Sequence, residues 1–328
     1  MRLSALSYPL LVQVKEEFSK KAKLEIPYLY LQTPSGILLA MIQLSVFSET
    51  APLKSVIVGY ADNFLQVEAE IINETQKQYY FGDKRPDPKI VATQVNQFAQ
   101  TLAEMGITVY RPKPLSYLPD QIMTRDIGVV IGNTLIITSM AAKSRRQEWR
   151  AITHLFGQID PTCDIFIAPE DFVLEGGDMI VDKGKLFIGM GQRTTKTGVD
   201  YLIEHFPDFE IVPVPLKLLA DGEDVLHLDC SFLPVGHHHA LIYPDGLQGI
   251  PPEILDNYQL IEVTREEQQQ LGTNVLSLSP DAVVSRAEST RINDAMRAVG
   301  INVIEMPYSE PPKTGGSFRC STLPLLRE

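Results

Sequence analysis

Four short motifs hold the side chains best suited to chemistry: Thr124-Arg125-Asp126, Leu174-Glu175-Gly176-Gly177-Asp178, Leu226-His227-Leu228-Asp229 and Gly315-Gly316-Ser317-Phe318-Arg319-Cys320. Together they supply a thiol, an imidazole and several carboxylates. A thiol ordinarily titrates near pH ~8.5, so it needs a nearby base or cation to act as a thiolate at neutrality. His227 can be that base with Glu175 orienting it, which is the nucleophile–base–orienter logic of other triads. Asp126 and Asp229 would be costly to bury together unless a cation sits between them. A planar guanidinium meets that need through paired, charge-assisted hydrogen bonds. The set therefore suits covalent attack by Cys320 sulfur on a guanidinium carbon.

The first three motifs recur at intervals of roughly 50 residues, 49 from Asp126 to Glu175 and 52 from Glu175 to His227, and each opens a similar run of elements. After Asp126 come two β-rich runs (127–131 and 134–138) around Gly132-Asn133, a helix-like segment (143–156) and a short strand (164–168). A turn dipeptide between β-branched runs signals a hairpin. The order repeats from Met179, from Leu228 and from Val275. On a strand starting at Leu228, His227 and Asp229 would point to one face. The fifth unit is split: its first strand would be 321–326, and its remainder 55–58, a helix over 89–105 and a strand over 107–110. Dividing one unit between the chain ends favours a closed ring, since pairing the ends removes open sheet edges. The expected fold is an α/β ring of five hairpin-plus-helix units over residues 51–328, preceded by an N-terminal arm over 1–50. In such a ring, equivalent positions converge on the axis, so the four motifs would line one pocket.

Composition narrows the function classes. The 328 residues carry a formal charge of −12, which disfavours nucleic acid and anionic membrane as partners. The longest apolar stretch, 37–46, is about half the roughly 20 residues a membrane-spanning helix needs. The first 18 residues have no cleavage pattern of a signal peptide, so a cytoplasmic protein is the expectation. Three scattered cysteines give neither a disulfide framework nor a thiolate zinc site, and Cys163 and Cys230 are expected in the core. His237-His238-His239 falls at a turn, where alternating faces make shared metal ligation poor geometry; solvent exposure is expected.

TRD, LEGGD, HLD and GGSFRCSTLPL resemble, in this order, the guanidino-group-modifying superfamily of arginine deiminases, dimethylarginine dimethylaminohydrolases and amidinotransferases. The resemblance spans about residues 52–328. It implies the five-bladed α/β propeller called a pentein. It also implies Cys320 as nucleophile, His227 as general acid/base with Glu175 as partner, and Asp126 with Asp229 as the pair gripping the guanidinium. Arg193 in GQRTT, and Arg145 or Arg146 in KSRRQEW, would meet a substrate carboxylate. Deiminases carry an arginine just before the paired glycines of the Cys loop, where this chain has Lys313-Thr314. The implied reaction is hydrolysis of an arginine-like guanidine to a ureido product such as citrulline, without metal or organic cofactor. Amidino transfer to an amine would use the same residues, and a non-catalytic binding protein on the same ring is a further alternative. A small guanidino molecule is the expected partner, with a homodimer possible.

Overall fold

Hairpin formation begins at the turns. Lys183 and Gly184 both adopt positive φ (50° and 72°), the type I′ geometry whose twist matches that of the strands it joins. The computed structural model describes residues 41–328 apart from 67, 69, 82 and 83. Within the unit Ile42–Glu328 it contains fifteen strands in five three-stranded sheets.

The first sheet combines β1 (Leu53–Val58) and β2 (Thr108–Tyr110) with β15 (Thr322–Arg327) from the C-terminus. The second holds β3 (Gly128–Ile131), β4 (Thr134–Ile137) and β5 (Asp164–Ile167), and the third β6 (Met179–Asp182), β7 (Lys185–Met190) and β8 (Glu210–Pro215). The fourth holds β9 (Phe232–Val235), β10 (His239–Ile242) and β11 (Gln259–Glu262), and the fifth β12 (Leu276–Ser279), β13 (Ala282–Arg286) and β14 (Asn302–Met306). In every sheet the middle strand pairs antiparallel on one side and parallel on the other. The chain ends close the set through β1 and β15, with Val58 opposite Thr322 and Val56 opposite Pro324. This is the five-fold pseudo-symmetric α/β propeller expected from the repeat.

Strands β3, β4, β6 and β9 are buried at every position rather than alternately. A strand covered on both faces requires the near-continuous apolar runs that this sequence carries. The helix Pro88–Glu104 is representative of the outer layer. Asp87 caps it by accepting from the Lys89 and Ile90 amides, Pro88 sits where no amide donor is needed, and Val91, Val95, Phe98, Ala99 and Leu102 form the inward stripe. Among the described residues, no helix is long and apolar enough to cross a membrane.

Three expectations are corrected. The arm expected over 1–50 lies, for residues 1–40, outside the described residues; residues 42–50 belong to the body. Ile42, Leu44 and Val46 are buried, and bridges tie Ser45 to Leu326 and Val46 to Gly132. The helix expected over 143–156 is two 3₁₀ turns (Lys143–Arg145 and Glu148–Ile152) and a single α-helical turn, Thr153–Phe156. In its first half the buried side chains Arg145 and Glu148 are polar and form an ion pair, and apolar burial begins only at Ala151, Ile152 and Leu155. The strand expected from Leu228 begins instead at Phe232. Leu228–Cys230 is a 3₁₀ turn, closed by Cys230 N–H to the His227 carbonyl (3.0 Å) and Ser231 N–H to the Leu228 carbonyl (2.8 Å). His227 and Asp229 therefore address different neighbours.

Candidate active site

All four motifs occupy the entries to first strands, where the chain turns in toward the middle of the ring. Close packing there depends on glycine. A Cβ on Gly177 would lie 2.7 Å from two atoms of the His227 ring and 3.1 Å from Asp126 Oδ1. One on Gly316 would lie 2.7 Å from Cys320 Cβ. The paired glycines thus let the imidazole and the Cys loop lie flat on neighbouring backbone.

His227 and Glu175 meet directly, Nε2 to Oε2 at 2.8 Å, and both are buried. The other ring nitrogen, Nδ1, has no hydrogen-bond partner, and neither does Asp126 Oδ1, 3.7 Å away. Burial alone would lower the pKa of His227, but Asp126 and the bond to Glu175 more than reverse this and raise it to about 9. Burial alone would raise Glu175; the His227 bond and charge instead hold it at about 2, helped by Arg193 and Arg145. At neutral pH the pair is imidazolium and carboxylate.

Cys320 is fixed by Asn274, a residue the motif reading missed. The Asn274 side chain donates to Cys320 Sγ (3.1 Å) while its carbonyl oxygen accepts the amides of Ser317 (3.1 Å) and Cys320 (3.0 Å). A lone asparagine outside any motif gives no signal in sequence. The thiol lies 3.6 Å from Asp229 Oδ2. Burial pushes the Cys320 pKa up, and the charges of Asp229 and Asp126 push it further. These effects keep the sulfur as a thiol, and a cation beside these carboxylates would favour the thiolate.

Asp126 and Asp229 are not equivalent. Asp126 Oδ2 accepts from Arg145 at 2.7 Å, leaving Oδ1 free, and Arg145 is held in turn by both Glu148 oxygens at 2.8 Å. Asp229 Oδ2 is bound by Arg319 at 2.9 Å, and the other side of that guanidinium pairs with Glu49 at 3.0 Å twice. Asp229 is thus already paired with an internal cation, whereas Asp126 keeps one carboxylate oxygen without a hydrogen-bond partner. Of the arginines expected to bind a carboxylate, Arg145 and Arg193 line the cleft above the site with Asn73, Gln76, Tyr80 and Leu226. Arg193 contacts Glu175 at 3.4 Å and the Ile72 carbonyl, and keeps further donors unused. Arg146 turns away, to the Met140 carbonyl and Glu170.

Among the described residues, Asp126, Glu175 and His227 bring donor atoms within 4.8 Å of one another, close enough in principle for a metal. The His227–Glu175 bond and the ion pairs to Arg193 and Arg145 already engage Glu175, His227 Nε2 and Asp126 Oδ2. His237 and His238 are exposed, with His237 paired to Asp281. Cys230 is core-buried with its Sγ 3.6 Å from Asp229 Oδ1, and Cys163 is half-buried.

A family model described as N,N dimethylarginine dimethylhydrolase, eukaryotic, matches residues 61–327. The chain belongs to this family. The dimethylarginine dimethylhydrolase family falls within the guanidino-modifying superfamily to which the four motifs pointed. The chain is 36% identical over 262 residues to the uncharacterized protein YkgA of Bacillus subtilis (strain 168), covering 79% of this chain and 87% of that one. It is 28% identical over 260 residues to the arginine deiminase of Listeria monocytogenes serotype 4b (strain CLIP80459), covering 65% of this chain. The chain spans 63% of that deiminase, less than two thirds of its length. Among solved structures, the amidinotransferase SxtG of Microseira wollei, from the saxitoxin biosynthetic pathway, superposes with a TM-score of 0.74 at 20% identity, covering 87% of this chain and 97% of that one. The dimethylarginine dimethylaminohydrolase of Pseudomonas aeruginosa, a cysteine-to-serine variant complexed with citrulline, gives 0.70 at 22% identity, covering 83% and 99%. These two likenesses carry the five-bladed fold.

Proposed function

We propose that the protein hydrolyses the guanidinium group of arginine or an N-substituted arginine, with Cys320 as nucleophile. The observation that supports this most is the pair of buried, unpartnered atoms Asp126 Oδ1 and His227 Nδ1, 3.7 Å apart, in the neighbourhood where Cys320 feels the charges of Asp126 and Asp229. A guanidinium donates to Asp126 Oδ1 and adds the positive charge that the thiol needs in order to ionise. Free arginine side chains suit the role because they are planar and permanently charged.

In this reading the Cys320 thiol loses its proton to solvent as the guanidinium binds, and the thiolate adds to the guanidinium carbon. His227 imidazolium protonates the departing nitrogen, and the C–N bond breaks to leave a thiouronium on Cys320. Neutral His227 then takes a proton from water, whose oxygen adds to the same carbon. The C–S bond breaks, releasing a ureido product and restoring the thiol and the imidazolium. Glu175 holds the ring and stabilises its charge. Asp229, held by Arg319, orients and polarises the sulfur. Arg193 takes the substrate carboxylate.

The test is a panel of arginine, methylated arginines and decarboxylated arginine, incubated with and without glycine or ornithine, with ureido and amidino products followed by mass spectrometry. Ureido product without an added amine supports hydrolysis. Product formed only with an amine acceptor would replace the proposal by amidino transfer, and no turnover across the panel would favour a binding role.

A further inference from the structure

We propose that Asp178 is a positioning residue that holds the His227–Glu175 pair in working geometry from beneath, acting through backbone and a hydroxyl rather than by touching substrate. The proposal rests on His227 being the proton carrier, as argued above. Asp178 is fully buried, and its Oδ1 accepts the amide of Leu228, the residue directly after His227, at 2.9 Å. That bond pins the start of the 228–230 turn and hence the direction in which the imidazole leaves the chain. On the other side, the Thr194 hydroxyl accepts the Glu175 amide at 3.2 Å and faces the Asp178 carboxylate. The acid thus anchors His227 through the Leu228 amide and lies beside the hydroxyl that meets Glu175.

The surroundings are shaped for this side chain. A Cβ on Gly189 in β7 would lie 2.4 Å from Asp178 Oδ1 and 2.8 Å from Leu228 Cβ, so only glycine there leaves the carboxylate in place. Its second oxygen makes no hydrogen bond. An asparagine would satisfy the Leu228 amide without burying a charge, and burial pushes the Asp178 pKa up to about 7. The value of an acid here lies in its charge toward His227, which also faces Asp126 and Glu175; Glu175 in turn faces Arg193 and Arg145.

Three variants test this in the full chain. Asp178→Asn keeps an acceptor for the Leu228 amide and removes the charge. The expected result is a downward shift of the His227 imidazole titration, read by NMR, of roughly one pH unit, with kcat/KM moving by the same interval on its alkaline side. Asp178→Ala removes the anchor, and Gly189→Ala displaces it while keeping the residue. Both are expected to lower kcat roughly 10- to 100-fold while KM changes little. Since Asp178→Ala can also fail to fold, the other two carry the test. An unshifted His227 titration in Asp178→Asn, or a rise in KM at constant kcat in Gly189→Ala, would overturn the proposal. A shifted titration in an enzyme that turns over no guanidine would support the positioning role and count against the hydrolase reading alone.

Discussion

Glu49 lies in a segment that gave no chemical signal in sequence, yet it completes the charge balance behind the nucleophile. Its two oxygens grip Arg319 at 3.0 Å each, and Arg319 is wholly buried next to Cys320 in the chain. Burial alone would raise the Glu49 pKa, but Arg319 and Arg125 more than reverse this and hold it at about 2, against 4.5 ordinarily. At 1.36 kcal/mol per pH unit, that difference amounts to about 3 kcal/mol of folding stability at neutral pH. The sign follows from the lowered value: the contribution is present above the unfolded pKa and is lost as pH falls through the folded one. Glu49→Gln preserves shape and removes the charge, and leaving Arg319 half-paired costs about 3–5 kcal/mol by analogy with other broken buried pairs. Urea denaturation followed by circular dichroism at pH 7 should show the loss as a lower midpoint at unchanged slope. As pH falls from 4.5 toward 2, the wild type should lose stability more steeply than the variant. A change below about 1 kcal/mol, or identical acid limbs, would refute the reasoning that Glu49 is charged and paired in the fold.

Glu175→Gln removes a charge that raises His227, so imidazolium is lost at lower pH. The alkaline limb of kcat/KM, expected near 9 in the wild type, should move toward 6.5; a pH–rate profile checks it. Arg193→Met should raise KM for arginine roughly tenfold or more and leave decarboxylated arginine nearly unaffected, as a steady-state comparison of the two substrates would show. Gly177→Ala drives a methyl into the His227 ring, which sits 2.7 Å from the new atom, and should cut kcat by roughly 100-fold while near-UV circular dichroism is retained.

The sequence was most legible where chemistry and turn geometry coincide. Paired glycines, hairpin dipeptides and β-branched runs recur in register, so the five-sheet ring and the split fifth unit could be read from the chain alone. The convergence of Asp126, Glu175, His227 and Cys320 followed from that ring. What escaped reading is what depends on side chains reaching across blades. Arg319 was visible beside Cys320, but its capture of Asp229 needs Glu49, distant in sequence. Asn274 stands in no motif, and its three bonds to the Cys loop exist only once the segments leading into β12 and β15, which belong to different sheets, lie side by side. The segment 143–156 has apolar spacing compatible with a helix, but the inward pull of Asp126 on Arg145 breaks it into shorter turns.

The account centres on sulfur attacking a guanidinium carbon. Rapid acid quench of the protein with a turned-over guanidine, followed by intact-protein and peptide mass spectrometry, measures that step most directly. The account predicts a covalent adduct, of the mass of the substrate less its departing amine, on the peptide bearing Cys320, absent in Cys320→Ala, which folds as the wild type does and turns over nothing. Full turnover with Cys320→Ala, or an adduct on Cys163 or Cys230 instead, would contradict it.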